Sequence, residues 1–235
     1  MPGVNIDERG NLLSYKLGLV YKPAANGSVY ASFATATTPP GGNNLEFNPA
    51  PGYADNPMFD PQNTRTVEVG AKWNVFGDKL RLTAALYRTV VNNLVVEDPV
   101  DMQFHQIGRE RVQGVELGAV GQVTPHWALS AGYTVIDTSA SKGIVSSSTA
   151  PSSPASDGSG TLGYTLKSAF TSWSTWNLPH RITLGVGARH SGEMRRGADR
   201  ARPDHVSAIG TPEFTEAYWV LDAMASEHTH TGLSP

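Results

Sequence analysis

Segments of roughly ten residues in which apolar and polar side chains alternate recur along this chain, and the connections between them are by turns short and long. In the stretch 127–135, Trp127, Leu129, Ala131, Tyr133 and Val135 fall on one face and Ala128, Ser130, Gly132 and Thr134 on the other. A period of two is what a β-strand imposes, because successive Cβ atoms point to opposite sides of the sheet. Roughly ten residues is also the length a tilted strand needs to cross a bilayer. The pattern predicts an all-β chain, an antiparallel transmembrane β-barrel segment.

The alternation can be followed strand by strand. Tyr15, Leu17, Leu19 and Tyr21 oppose Lys16 and Gly18, and the pattern resumes at Val29, Ala31 and Phe33 after a turn whose Asn26-Gly27 suits positive φ. Val67, Val69, Ala71, Trp73 and Val75 oppose Glu68, Gly70, Lys72 and Asn74; Leu80, Leu82, Ala84 and Leu86 oppose Arg81, Thr83, Ala85 and Tyr87. Val115, Leu117 and Ala119 oppose Gly114, Glu116 and Gly118. A weaker segment at 166–176, then Ile182, Leu184, Val186 and Ala188, and a last segment at 217–226 bring the expected total to about nine strands of a larger barrel, an open sheet in this piece. Connections at 23–27, 76–79, 124–126 and 177–180 are short, and those at 35–63, 90–110, 138–163 and 191–216 are long. Long loops at one end and tight turns at the other are the ordering of an outer-membrane barrel, whereas a soluble sandwich has no reason to keep it. Tyr15, Tyr21, Trp73, Phe76, Trp127, Tyr133, Trp176, Tyr218 and Trp219 stand near strand ends, where aromatic girdles are expected.

Composition agrees. Hydrophobic residues make up 39% of the 235, low for a large soluble core, and 24 glycines with 16 prolines fit many turns and few helices. A net charge of −3 gives no reason to expect nucleic acid as a partner. The absence of cysteine excludes disulfides and thiolate metal sites within these residues. No apolar run reaches the roughly 18 to 20 residues of a spanning helix. The start, from Met1 to Arg9, lacks the basic and apolar regions of a signal peptide.

Four segments then resemble one known family. Arg109-Glu110-Arg111-Val112-Gln113-Gly114-Val115-Glu116-Leu117 is similar to a recurring strand of TonB-dependent siderophore receptors, and Glu68-Val69-Gly70-Ala71-Lys72 to another. The stretch from Gly77 to Arg88 resembles the strand after a periplasmic turn, and that from Tyr218 to Ala225 a late strand. The likeness is greatest to catecholate siderophore receptors, over about residues 12–226, in the C-terminal half of the barrel. It implies an outer-membrane transporter with no cofactor and no enzymatic activity. Its partners would be outer-membrane lipid, a ferric siderophore as ligand, and the TonB complex in the parent receptor. The expected organisation is an irregular start at 1–12, a partial receptor barrel at 13–226 and a tail at 227–235 that departs from the family. With no plug, TonB box, export signal or final strands recognisable, the expectation is a truncated or frameshifted frame, non-functional alone.

Candidate chemistry is sparse. Arg189, Arg195, Arg196, Arg200 and Arg202, read as an external basic loop, suit an anionic ferric catecholate, although Glu193, Asp199 and Asp204 nearby also fit a solvated loop. Glu68, Lys72, Arg81 and Glu116 on the polar faces are expected to form a structural ion-pair lattice rather than a substrate path. Glu97, Asp98 and Asp101 with His105 match no standard metal-ligand spacing and suit loop solvation, whereas His228 and His230 form an HxH pair of the kind that captures a metal on a strand, set in the departing tail where chance composition is the favoured account. No catalytic motif stands out. The competing readings are a soluble β-sandwich for binding or adhesion and an outer-membrane β-barrel enzyme.

Overall fold

A computed structural model describes residues 11–39, 56–98, 103–141, 165–195 and 214–227. Its strands are β1 (Tyr15–Ala24), β2 (Gly27–Thr38), β3 (Gln62–Val75), β4 (Leu80–Asp98), β5 (Gln103–Thr124), β6 (Trp127–Ser141), β7 (Ser168–Leu178), β8 (Ile182–Ser191), β9 (Met194–Arg195), β10 (Phe214–Thr215) and β11 (Tyr218–Glu227). Nine of them form one antiparallel sheet in the order β1-β2-β3-β4-β5-β6-β7-β8-β11, and β9 and β10 form a small ribbon. β1 and β11 each pair on one side only, so the sheet is open among the described residues.

The turns are where local chemistry fixes the chain direction. Between β3 and β4, Phe76 (φ 55°), Gly77 (φ 66°) and Asp78 (φ 64°) all adopt left-handed conformations. Only glycine enters that region without steric cost, and Asp tolerates it better than most residues. Between β7 and β8 a 3-10 turn at Pro179–Arg181 does the same work, with His180 and Arg181 at φ 60° and 61°.

Register confirms the alternation. One hydrogen-bonded rung runs Tyr21–Val29–Ala71–Ala84–Leu117–Tyr133–Phe170–His190–Trp219, so the apolar positions of successive strands share one face. The rung starts near the short-turn end of β1 and reaches six residues past the start of β6. That stagger is what tilted barrel strands require.

A layered soluble protein would bury one face of such a sheet; this one does not. Leu80 is the single buried large hydrophobic among the described residues, while Leu17, Leu19, Leu86 and Leu221 are 60–74% exposed. Among the described residues the apolar face is a continuous surface with no second layer against it, so the sandwich expectation finds no core there. Aromatics mark its borders. Trp127 and Trp176 stack at 6.2 Å at the short-turn end; Phe170, His190 and Trp219 meet at 4.7–5.9 Å toward the other, as do Tyr15 and Phe33 at 5.9 Å. Tyr218 does not belong to this set, because it lies on the opposite face from Trp219, opposing Ser191.

One expectation is corrected outright. The stretch 90–110, read as a long loop, is largely a paired arm: β4 and β5 stay paired from Asn92–Arg109 out to Asp98–Gln103. The alternation is broken there by register shifts around Leu94 and by Asn93 at φ 58°, and this interruption hides the ladder from a period-two reading. Among the described residues no helix is long and apolar enough to cross a membrane.

Candidate functional site

The opposite face of the sheet carries the polar chemistry. Lys16, Lys22, Glu68, Lys72, Arg81, Glu116, Arg189 and Asp222 all project from it. The centre of its β2–β5 region is Tyr30. Its hydroxyl donates to Glu68 Oε1 at 2.6 Å, and Lys72 Nζ sits 5.4 Å from the centre of its ring. The ring thus joins an acid and a base through a hydrogen bond on one side and a cation–π contact on the other.

This arrangement depends on glycine. Tyr30 is opposite Gly70 in the ladder, and a Cβ added at Gly70 would lie 2.5 Å from the ring. The same pairing recurs as Tyr87 over Gly114 and Trp173 over Gly187, and on the apolar face as Trp73 over Gly27. In each case the missing side chain lets an aromatic ring lie across the neighbouring strand, which shields the glycine backbone and pins register.

Toward the short turns lies a cavity of about 260 Å³ lined by Lys22, Asn26, Lys72, Asn74 and Arg81 among others, none of them acidic. Asn26 Nδ2 donates to the Asn74 carbonyl at 2.8 Å, and Arg81 Nε to Asn74 Oδ1 at 3.3 Å. Three cations converging without a carboxylate can hold an anionic group, a phosphate or carboxylate.

The sequence-predicted residues are distributed as follows. Arg189 is not in a loop: it lies in β8 and pairs with Asp222 Oδ2 of β11 at 3.3 Å. Arg195 is in β9, its backbone opposite Phe214. Arg196, Arg200 and Arg202 lie outside the described residues, as do Asp101, His228 and His230. The charged lattice also differs from expectation. No two of Glu68, Lys72, Arg81 and Glu116 come within ion-pair distance, and the described ion pairs are Arg111–Asp137, Lys167–Glu193 and Arg189–Asp222. Tyr30, which the sequence reading passed over, takes the place of that lattice. Its signal was an aromatic at a polar-face position. Among the described residues no group of three or more His, Asp or Glu could hold a metal.

With this geometry in place, likeness to known proteins is informative. The family described as TonB dependent receptor-like, beta-barrel matches residues 2–230, and the chain belongs to it. It is 40% identical over 222 residues to the catecholate siderophore receptor Fiu of Escherichia coli K12, covering 94% of this chain and 27% of Fiu. It is 35% identical to the probable TonB-dependent siderophore receptor PiuA of Acinetobacter baumannii, over 92% of this chain and 28% of PiuA. The crystal structure of Fiu in its closed form superposes with a TM-score of 0.78 at 38% identity, over 94% of this chain and 29% of that one. The PiuA crystal structure gives 0.70 at 31%, over 93% and 30%. This chain spans little more than a quarter of the length of these curated relatives. Both relatives are named as siderophore receptors.

Proposed function

We infer that this chain is a wall segment of an outer-membrane receptor that takes up ferric siderophores of the catecholate type. The observation that carries the reading is the 40% identity to Fiu across 94% of the chain, since Fiu is a ferric-catecholate import receptor. The two-faced sheet supports it. Its apolar face suits lipid, and its polar face suits a water-filled or plugged lumen. Among the described residues the outer edges of β1 and β11 carry unpaired backbone groups, which are prohibitively costly in hydrocarbon. Further strands must therefore join those edges before the wall can enclose a lumen, and the open sheet alone does not transport. Energy from a TonB complex would act on the closed receptor. In this reading the guanidinium groups of Arg195, Arg196, Arg200 and Arg202 serve to attract an anionic ferric complex.

A segment exchange tests this. The corresponding stretch of Fiu is replaced by this chain in a strain without other catecholate receptors, and uptake of radiolabelled ferric catecholate is measured under iron limitation. Uptake comparable to Fiu is expected. A chimera that reaches the outer membrane but imports no ferric catecholate contradicts the reading.

A further inference from the structure

Charge is distributed unevenly over this sheet. Lys16, Lys22, Glu68, Lys72, Arg81, Glu116, Arg189 and Asp222 are confined to the polar face. On the apolar face, β3, β4 and β5 carry Arg65, Arg88 and Arg111 immediately beyond the aliphatic surface. The ladder places them together: Arg65 opposes Val90, Val90 opposes Arg111, and Arg88 opposes Val67 and Gln113 one step nearer the aliphatic residues. Diagonal neighbours of this kind stand about 7–8 Å apart, well within reach of one another's long side chains.

Their height matters. Arg88 is eight residues from the start of β4 at Leu80, and Arg65 is ten from the end of β3 at Val75. A strand crossing a bilayer uses about 9–11 residues, so both guanidinium groups fall at the polar border of the hydrocarbon, at the end of the long connections. Arg65 and Arg88 are exposed, and neither side chain makes a hydrogen bond or ion pair among the described residues. Asp137 of β6 is the one acid on this face at this level among the described residues. It is already engaged by Arg111 Nη2 at 3.4 Å and Gln113 Nε2 at 3.0 Å. Three cations against one carboxylate leave the patch positive. A positive cluster at that height is costly unless an anion meets it, and guanidinium matches phosphate with two parallel hydrogen bonds. Closer to the short turns, Ala71, Trp73, Leu82, Ala84 and Leu117 line an apolar groove of about 380 Å³, the kind of surface on which an acyl chain lies.

We propose that Arg65, Arg88 and Arg111 form a docking site for the phosphate groups of a lipid headgroup in the leaflet at the long-connection end, with the acyl chains against the apolar face below. The site rests on the outer-membrane reading above. It is tested on the complete polypeptide carrying this segment, in detergent, by native mass spectrometry. The probes are a bis-phosphorylated acyl-diglucosamine, its dephosphorylated form, and inorganic phosphate in excess as competitor. The bis-phosphorylated lipid is expected to be retained and its dephosphorylated form largely lost. Arg65→Gln with Arg88→Gln should lower retention about 20-fold or more, at several-fold per arginine. Lys16→Gln on the polar face should not. Equal retention of both lipids, or no loss in the double variant, overturns the proposal, and the lipid comparison needs no variant. Displacement by inorganic phosphate would mark a free-anion site and overturns the lipid assignment. Heat-dependent electrophoretic mobility separates the two readings. A folded barrel without headgroup preference refutes only this site, and a chain that never folds into detergent refutes the barrel as well.

Discussion

The two faces of this sheet obey different rules. The apolar face is uniform: its residues follow from period two alone, its borders are aromatic, and almost any aliphatic side chain would serve. The polar face is particular. Tyr30 works because Gly70 is opposite it, Glu68 accepts its hydroxyl and Lys72 covers its ring. A surface selected by a solvent tolerates exchange within a class, while a surface built from mutual contacts does not. The comparison yields four predictions.

The largest effect is expected from charge on the apolar face. Leu86→Arg should destabilise the folded barrel in lipid vesicles by about 2–4 kcal/mol. Ala85→Arg, one residue away on the polar face and flanked by Glu116, should cost about 1 kcal/mol or less. Reversible urea unfolding in vesicles measures both, and equal losses would erase the distinction between the faces. Next is the glycine dependence. A Cβ at Gly114 meets the Val135 carbonyl oxygen and, at 2.7 Å, the Tyr87 hydroxyl, so Gly114→Ala should cost about 1–3 kcal/mol by overpacking. A Cβ at Gly18 meets nothing closer than 3.9 Å, and Gly18→Ala should fall within about 0.5 kcal/mol of neutral. A smaller loss, about 1 kcal/mol, is expected for Tyr30→Phe, which removes one hydrogen bond and keeps the ring over Gly70. The smallest concerns the aromatic border: Trp127→Phe deletes the Nε1 bond to Ser174 Oγ at 2.6 Å and should cost less than about 1 kcal/mol. A Trp127→Phe loss exceeding that of Gly114→Ala would mean that the apolar face is not the tolerant one.

Legibility in the sequence follows the same division. The strands with unbroken alternation, β3 to β6 near their short turns, were readable because burial preference repeats every second residue. The outer arm of β4 and β5 was not, because Asn93 and the register shifts beside Leu94 interrupt the period while the hydrogen bonds continue. Tyr218 and Trp219 are adjacent, so a count of aromatics near strand ends cannot assign both to one border. The Tyr30 network was invisible because it joins β2 to β3 through a ring whose partners are set by register, which single-strand patterns do not carry. Sequence proximity groups Arg189 with a basic loop, whereas the ladder sets it across from Val220 and beside Asp222.

The central claim is that one sheet separates lipid from an aqueous interior. The segment contains no cysteine, so single cysteines can be placed along β4 from Leu82 to Val90 in the complete receptor in vesicles. Reaction with a water-soluble maleimide should alternate with period two. Positions 83, 85, 87 and 89 should label, and 82, 84 and 86 should be protected from it and reached instead by a lipid-dissolved probe. Uniform labelling by the water-soluble reagent along β4 would contradict the account.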